Sequence, residues 1–238
     1  MLGVSIDPVT MSEALARMET YIRGRQPRHI LTADALGIMQ AQEDPELLGA
    51  MRQAALVTPD GAGVLLAAKM RGVRLPERVS GVDLVEQLSA LAAAKGYLVY
   101  LFGASEGVAQ AAAEQLKNRY PGLTIVGVRH GYFTAEEEPA IARDIARTHP
   151  DILFVALGIP KQEQFIRRYF TTLNVPVMIG IGGSFDVISG RLLRAPHWMQ
   201  RTGLEWLFRL RQQPSRWSRM LLLPRFVAAA WWRRRENG

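Results

Sequence analysis

Pro59-Asp60-Gly61 holds the carboxylate whose neighbours best suit it to act as a base. A proline stiffens the approach and a glycine lets the chain turn, so the side chain between them can be aimed into a crevice. The same setting suits an aspartate that caps a helix opening at Ala62, and residue type alone favours the cap. Other segments carry reactive or ligand-binding residue types: Thr32 and Asp34; Gly103-Ala104-Ser105-Glu106-Gly107; His130-Gly131-Tyr132; Gly158-Ile159-Pro160-Lys161-Gln162-Glu163; and Gly182-Gly183-Ser184-Phe185-Asp186. Glycine-rich turns at 103 and 182 would let backbone N–H groups approach an anion at a helix N-terminus, as a bound diphosphate requires. Glycine there is equally explained by the geometry of a strand-to-helix turn. Neither turn reads GxGxxG and no GxxxxGK[ST] occurs, which weakens the dinucleotide and P-loop readings. His29, His130, His149 and His197 lack metal-ligand spacing, and there is no Asp-x-Asp pair, so no metal and no cofactor are expected.

These segments need a scaffold that gathers them, and the pattern of residues 1–190 supplies one. Short apolar runs at 29–32, 55–57, 97–102, 124–128, 152–157 and 177–181 read as buried strands. Helical patterns alternate with them near 35–42, 62–71, 82–95, 107–120, 135–148 and 161–170. Thr10-Met11-Ser12-Glu13 is a capping box that opens a first helix through Tyr21. Such alternation predicts βαβ units and a parallel sheet covered on both faces, and the quoted residues fall where strands end.

Charge divides the chain in two. In 238 residues there are 29 basic and 22 acidic side chains, and no cysteine. From residue 191 onward eleven arginines face only Glu205 and Glu236, a net +9, which leaves the first 190 residues at −2. All five tryptophans, Trp198, Trp206, Trp217, Trp231 and Trp232, lie in the same basic stretch. Two helical segments are expected there, near 197–213 and 215–235. The most apolar run, 220–232, includes Pro224 and Arg225 and is shorter than the roughly 20 residues needed to span a bilayer. Tryptophan and leucine beside arginine suit the headgroup level of a membrane; the plain alternative is a helix pair packed on the body. A nucleic-acid binder using the same tail and a nucleotide-dependent oxidoreductase are the rival readings. Residues 1–8 have no basic region and no apolar run, so no signal peptide is expected.

Several motifs in the same order make the chain resemble the WecG/TagA/CpsF family of bacterial glycosyltransferases over nearly its whole length. They are Thr32 with the acid that follows, Pro59-Asp60-Gly61, Glu77-Arg78-Val79-Ser80-Gly81-Val82-Asp83-Leu84, and Gly158 to Glu163. Gly180-Ile181-Gly182-Gly183-Ser184-Phe185-Asp186, Arg194-Ala195-Pro196, and Gly203-Leu204-Glu205-Trp206-Leu207 through Pro214-Ser215-Arg216 complete the set. The family usually has asparagine where Asp34 stands, and often tyrosine where Met220 stands.

The resemblance implies an α/β fold: one Rossmann-like catalytic domain with a mainly parallel sheet over 1–194. A basic helical membrane-binding appendage would follow over 195–238. It implies an inverting, metal-independent transfer of a sugar, foremost N-acetylmannosamine, from a UDP-sugar to a polyprenyl-diphosphate-linked acceptor. UDP-glucose and UDP-N-acetylmannosaminuronate are the alternative donors. Asp60 matches the base, Thr32 and Gln162 match residues near the reacting sugar and diphosphate, and Arg78 matches an active-site arginine. Asp186 falls at the nucleotide pocket, and Arg209, Arg216 and Arg219 match appendage arginines that reach phosphates. Asp34, Gly103, Tyr132, Gly158, Lys161, Gly182 and Gly183, at the strand ends, complete the expected substrate contacts. The implied location is peripheral, on the cytoplasmic face of the membrane, with no nucleic-acid partner and with homo-oligomerisation left open.

Overall fold

The computed structural model describes residues 1–214, 217 and 221–235. The chain opens with α1 (Met11–Gly24), β1 (Arg28–Ala33), α2 (Ala35–Gln40), α3 (Pro45–Gln53), β2 (Leu56–Pro59) and α4 (Ala62–Met70). It continues through α5 (Gly81–Lys95), β3 (Leu98–Gly103), α6 (Val108–Arg119), β4 (Thr124–Arg129), α7 (Glu138–Arg147) and β5 (Ile152–Ala156). Then follow α8 (Lys161–Arg168), α9 (Phe170–Leu173), β6 (Val177–Gly180), α10 (Ser184–Ile188), α11 (His197–Thr202), α12 (Glu205–Gln212) and α13 (Leu222–Arg235).

The six strands form one sheet in the order β2-β1-β6-β5-β3-β4, and every pairing is parallel. The central strands β1, β5 and β6 are buried almost throughout, as strands covered on both faces must be, and this is why they read as unbroken apolar runs. On one face Ile30, Leu101, Phe154 and Ile179 pack under α1, α5, α6 and α10. On the other, Leu31, Ala33 and Val57 meet α2, α3, α4 and α13, while Phe102, Leu153 and Val155 meet α7, α8 and α9. The expected capping box forms: Thr10 Oγ1 accepts from the Glu13 N–H, and the Thr10 N–H donates to the Glu13 carboxylate at 2.7 Å.

Three helical features depart from the sequence reading. Helix α3 was not expected, yet Asp44 caps it by accepting from the Glu46 and Leu47 N–H groups at 3.0 Å, with Pro45 in its first turn. A short α10 follows β6. The helix expected over 197–213 is broken at Gly203, whose φ of +76° is left-handed and whose Cβ position would lie 2.6 Å from Ala62 Cβ. Glycine is required there because the C-terminal segment touches the start of α4 at that point. That segment is also fastened to the body at its far end, where Phe226 and Ala230 of α13 are fully buried against α2 and α4. Exposed Trp198, Trp217 and Trp232 face outward from the same segment. Among the described residues no helix is long and apolar enough to cross a membrane.

Candidate active site

Helix α6 leads from β3 to β4 on one side, whereas the helices after β5 lead to β6 on the other. The carboxyl ends of β3 and β5 therefore part at a topological switch point, where an open α/β sheet leaves room for a ligand. A polar cleft of about 700 Å³ opens there. Ser105, Tyr132, Lys161, Asp186 and Arg191 line it, so the expected Tyr132, Lys161 and Asp186 do come together. Arg191 closes one side by donating to Ser105 Oγ. Tyr132 is two-thirds exposed, leaving its ring free to stack on a planar base.

Gly103 lies one residue behind the cleft wall formed by Ala104 and Ser105. A Cβ on it would sit 2.5 Å from the Ala156 backbone, so close approach of β5 dictates this glycine. Gly158 has open space around its Cβ position and a φ of +76°; its carbonyl accepts from the Gln162 N–H at 3.0 Å, entering α8.

A second cluster forms where β1 and β2 end. Asp60 does not cap α4, whose N-cap is Gly61 with no side-chain bond. Instead its Oδ2 accepts from the Gly81 N–H at 3.3 Å, at the start of α5, and its own N–H donates to Ala33 O at 2.9 Å. Protein surrounds the carboxyl closely enough that desolvation is the main force raising its pKa to about 6, from 3.8. The nearby Asp34 and, more weakly, Glu205 add to the rise, while Arg78 and the Gly81 N–H oppose it. Such a carboxylate is mostly ionised at neutral pH yet holds a proton more tightly than a surface aspartate, as a general base should. Asp34 caps α2 through the Gly37 N–H at 2.6 Å. Arg78 is largely buried and bonds Glu205 of α12, with Asp83 3.8 Å away, and Arg194 bonds the other oxygen of Asp83.

Between the two clusters lies the turn after β6. Gln162 Oε1 accepts from the Gly182 N–H at 3.0 Å, so this N–H points into the protein and not into the cleft. Thr32 Oγ1 donates to Gly180 O at 3.1 Å, which ties β1 to the same turn. Arg209 of α12 lies over it and donates to Gly183 O at 3.2 Å; a Cβ on Gly183 would come within 2.6 Å of the guanidinium. The turn also adjoins the base cluster, since the Cβ position of Gly81 is 3.2 Å from Ser184 Oγ. Arg216 and Arg219 lie outside the described residues.

Sequence reasoning assigned no role to Arg191, Ser105, Glu205 or the buried His29. Glu205 stood inside a quoted motif, but only the fold shows that it reaches Arg78 across 127 positions. Among the described residues no three His, Asp or Glu side chains converge as metal ligands.

A polar cleft at the switch point, a strand-end carboxylate with a raised pKa and an arginine over a glycine turn lie along one edge of the sheet, an arrangement suited to group transfer on an anionic ligand. The chain belongs to the glycosyl transferase WecG/TagA/CpsF family, whose profile matches residues 1–238. It is 38% identical over 187 residues to a Bacillus subtilis (strain 168) protein named N-acetylglucosaminyldiphosphoundecaprenol N-acetyl-beta-D-mannosaminyltransferase, covering 79% of this chain and 72% of that protein. Proteins of the same name from Bacillus spizizenii (38% over 210 residues, 88% and 81% covered) and Staphylococcus aureus strain MW2 (31% over 229 residues, 95% and 89%) are also similar. Family membership takes the place of the oxidoreductase and nucleic-acid readings.

Proposed function

We propose that the protein transfers N-acetylmannosamine from its UDP derivative to N-acetylglucosaminyl-diphosphate-polyprenol, with inversion and without a metal ion, at the cytoplasmic face of the membrane. The observation that carries this reading is Asp60, a strand-end carboxylate with a pKa of about 6 next to an arginine-covered glycine turn. Asp60 takes the proton from the acceptor hydroxyl as that oxygen bonds to the anomeric carbon. The bond from that carbon to the diphosphate oxygen breaks on the opposite face, and UDP leaves with the electron pair. The cleft holds the nucleotide, with the base on Tyr132 and the phosphates near Lys161 and Arg191. Arg209, joined by Arg216 and Arg219, offsets the charge that grows on the leaving diphosphate, a role for which the planar guanidinium is suited. Thr32 and Gln162 shape the sugar end, and Arg78 holds the base cluster together through Asp83 and Glu205.

The +9 segment and the outward tryptophans support a peripheral membrane contact that brings the lipid acceptor to Asp60. Part of that segment, α13, is fixed to the body, which keeps the membrane-facing side chains in a set relation to the site. Purified protein should be offered UDP-N-acetylmannosamine, UDP-glucose and UDP-N-acetylmannosaminuronate in turn, with a lipid-diphosphate N-acetylglucosamine acceptor. The proposal requires the first to be used with the highest kcat/KM, and preference for either rival would reassign the donor.

A further inference from the structure

Glu163 is fully buried on α8, where an ionisable side chain is costly unless all its bonds are made. Its Oε2 bonds Nε2 of His29, itself buried on β1, and its Oε1 accepts from Gln162 Nε2 at 2.9 Å. The other end of the Gln162 amide accepts from the Gly182 N–H. A continuous chain thus runs from His29 through Glu163 and Gln162 to the turn under Arg209. Gly180 makes room for it: its backbone is ordinary, but a Cβ there would overlap both Glu163 Oε1 and Gln162 Nε2. An amide is nearly symmetric in shape, so packing alone does not decide which end of Gln162 meets Gly182. Glu163 Oε1 accepts from the amide nitrogen while the Gly182 N–H, which can only donate, meets the amide oxygen, so Glu163 holds the end of Gln162 that leaves its oxygen facing the turn.

We infer that Glu163, anchored by His29, is a positioning residue that orients Gln162 and thereby sets the Gly182-Gly183 turn beneath Arg209. The inference rests on the proposed reading in which this turn faces the donor diphosphate. Flipping the amide would set two donors against each other, and the turn would move away from the geometry that seats Arg209 on Gly183 O.

Two readouts test it in the purified full-length chain. Hydrogen exchange at the Gly182 amide needs no substrate: Glu163→Met should speed it by about tenfold or more, as loss of a buried hydrogen bond does. His29→Leu should act in the same direction, and His29→Gln, which still offers a donor to Glu163, should restore the wild-type rate to within about threefold. In transfer assays Glu163→Met should raise the donor KM more than it lowers kcat. Combined with Gln162→Leu, it should add less than twofold to the loss caused by Gln162→Leu alone, because both act at one point. Folded Glu163→Met and His29→Leu proteins with unchanged Gly182 exchange, or losses that multiply in the double variant, would overturn the inference. So would failure of both variants to fold, which would make the pair a purely structural one. A wild-type protein that shows the exchange pattern but transfers nothing from UDP-sugars would count against the proposed function alone.

Discussion

Asp60→Asn removes a carboxyl whose pKa is pushed up to about 6 by desolvation first and by Asp34 next. An unfolded chain would ionise this group near its ordinary 3.8. Between pH 4 and 6 the folded protein therefore binds more protons at this site than the unfolded chain, and stability falls as pH rises through that window. Above it the loss is complete and level. A difference of about two units corresponds to at most about 3 kcal/mol, with the partial exposure of Asp60 bringing it lower. Asparagine is nearly isosteric and can still accept from the Gly81 N–H, so it escapes this cost. The variant should melt some 5–10 °C above the wild type at pH 8, with the gap closing toward pH 4. Catalysis should move the opposite way, with kcat reduced by about 10²–10⁴ because the amide takes no proton. Thermal melts across pH 4–8, paired with turnover at pH 8, measure both. A gap that does not depend on pH, or no gap at pH 8, would refute the claim that this carboxyl is held at a cost for its chemistry.

Glu205→Gln should shift the acid limb of the pH–rate profile to lower pH, since Glu205 helps raise the Asp60 pKa, and Arg78→Leu should shift it upward; measured limbs moving the other way would break the base assignment. Replacing Trp198, Trp217 and Trp232 together by alanine should weaken binding to anionic vesicles by at least about tenfold in a sedimentation assay without lowering the melting temperature, because all three are exposed. Phe226→Ala should cost about 3–5 kcal/mol by denaturant titration, since the ring is fully buried between α13 and the body. Turnover should persist in excess EDTA; a loss restored by magnesium would show that the arginines do not suffice for the diphosphate.

The sheet was legible because central parallel strands leave no polar face: 152–157 and 177–181 could hardly be anything else, and all six strands appear where expected. Helix α3 went unread because it is only nine residues long and follows α2 closely, and its clearest signal is local, the Asp44 cap with Pro45 and Glu46 in the first turn. The break at Gly203 depends on contact with Ala62, which no window of sequence contains. The same distinction holds in the site. Strand-end position could collect Asp60, Lys161 and Asp186, whereas the desolvation that chiefly raises the Asp60 pKa, and the charges of Asp34, Arg78 and Glu205 that adjust it, come from distant stretches of the chain. Gly103 illustrates the reverse: a glycine that sequence allows as a phosphate contact is required by the Ala156 backbone.

Direct displacement of UDP by a lipid-linked sugar hydroxyl, driven by Asp60, is the step on which the proposed function stands. Wild-type and Asp60→Asn proteins should be incubated with α-configured UDP-N-acetylmannosamine and a short-chain N-acetylglucosaminyl-diphosphate lipid, the disaccharide linkage being read by NMR and UDP release by chromatography. The wild type should release one UDP per β-linked disaccharide, and the variant should bind UDP normally but yield less than about one hundredth of that product. An α-linked product, no product from the wild type, or near-normal turnover by a folded Asp60→Asn protein would contradict that step.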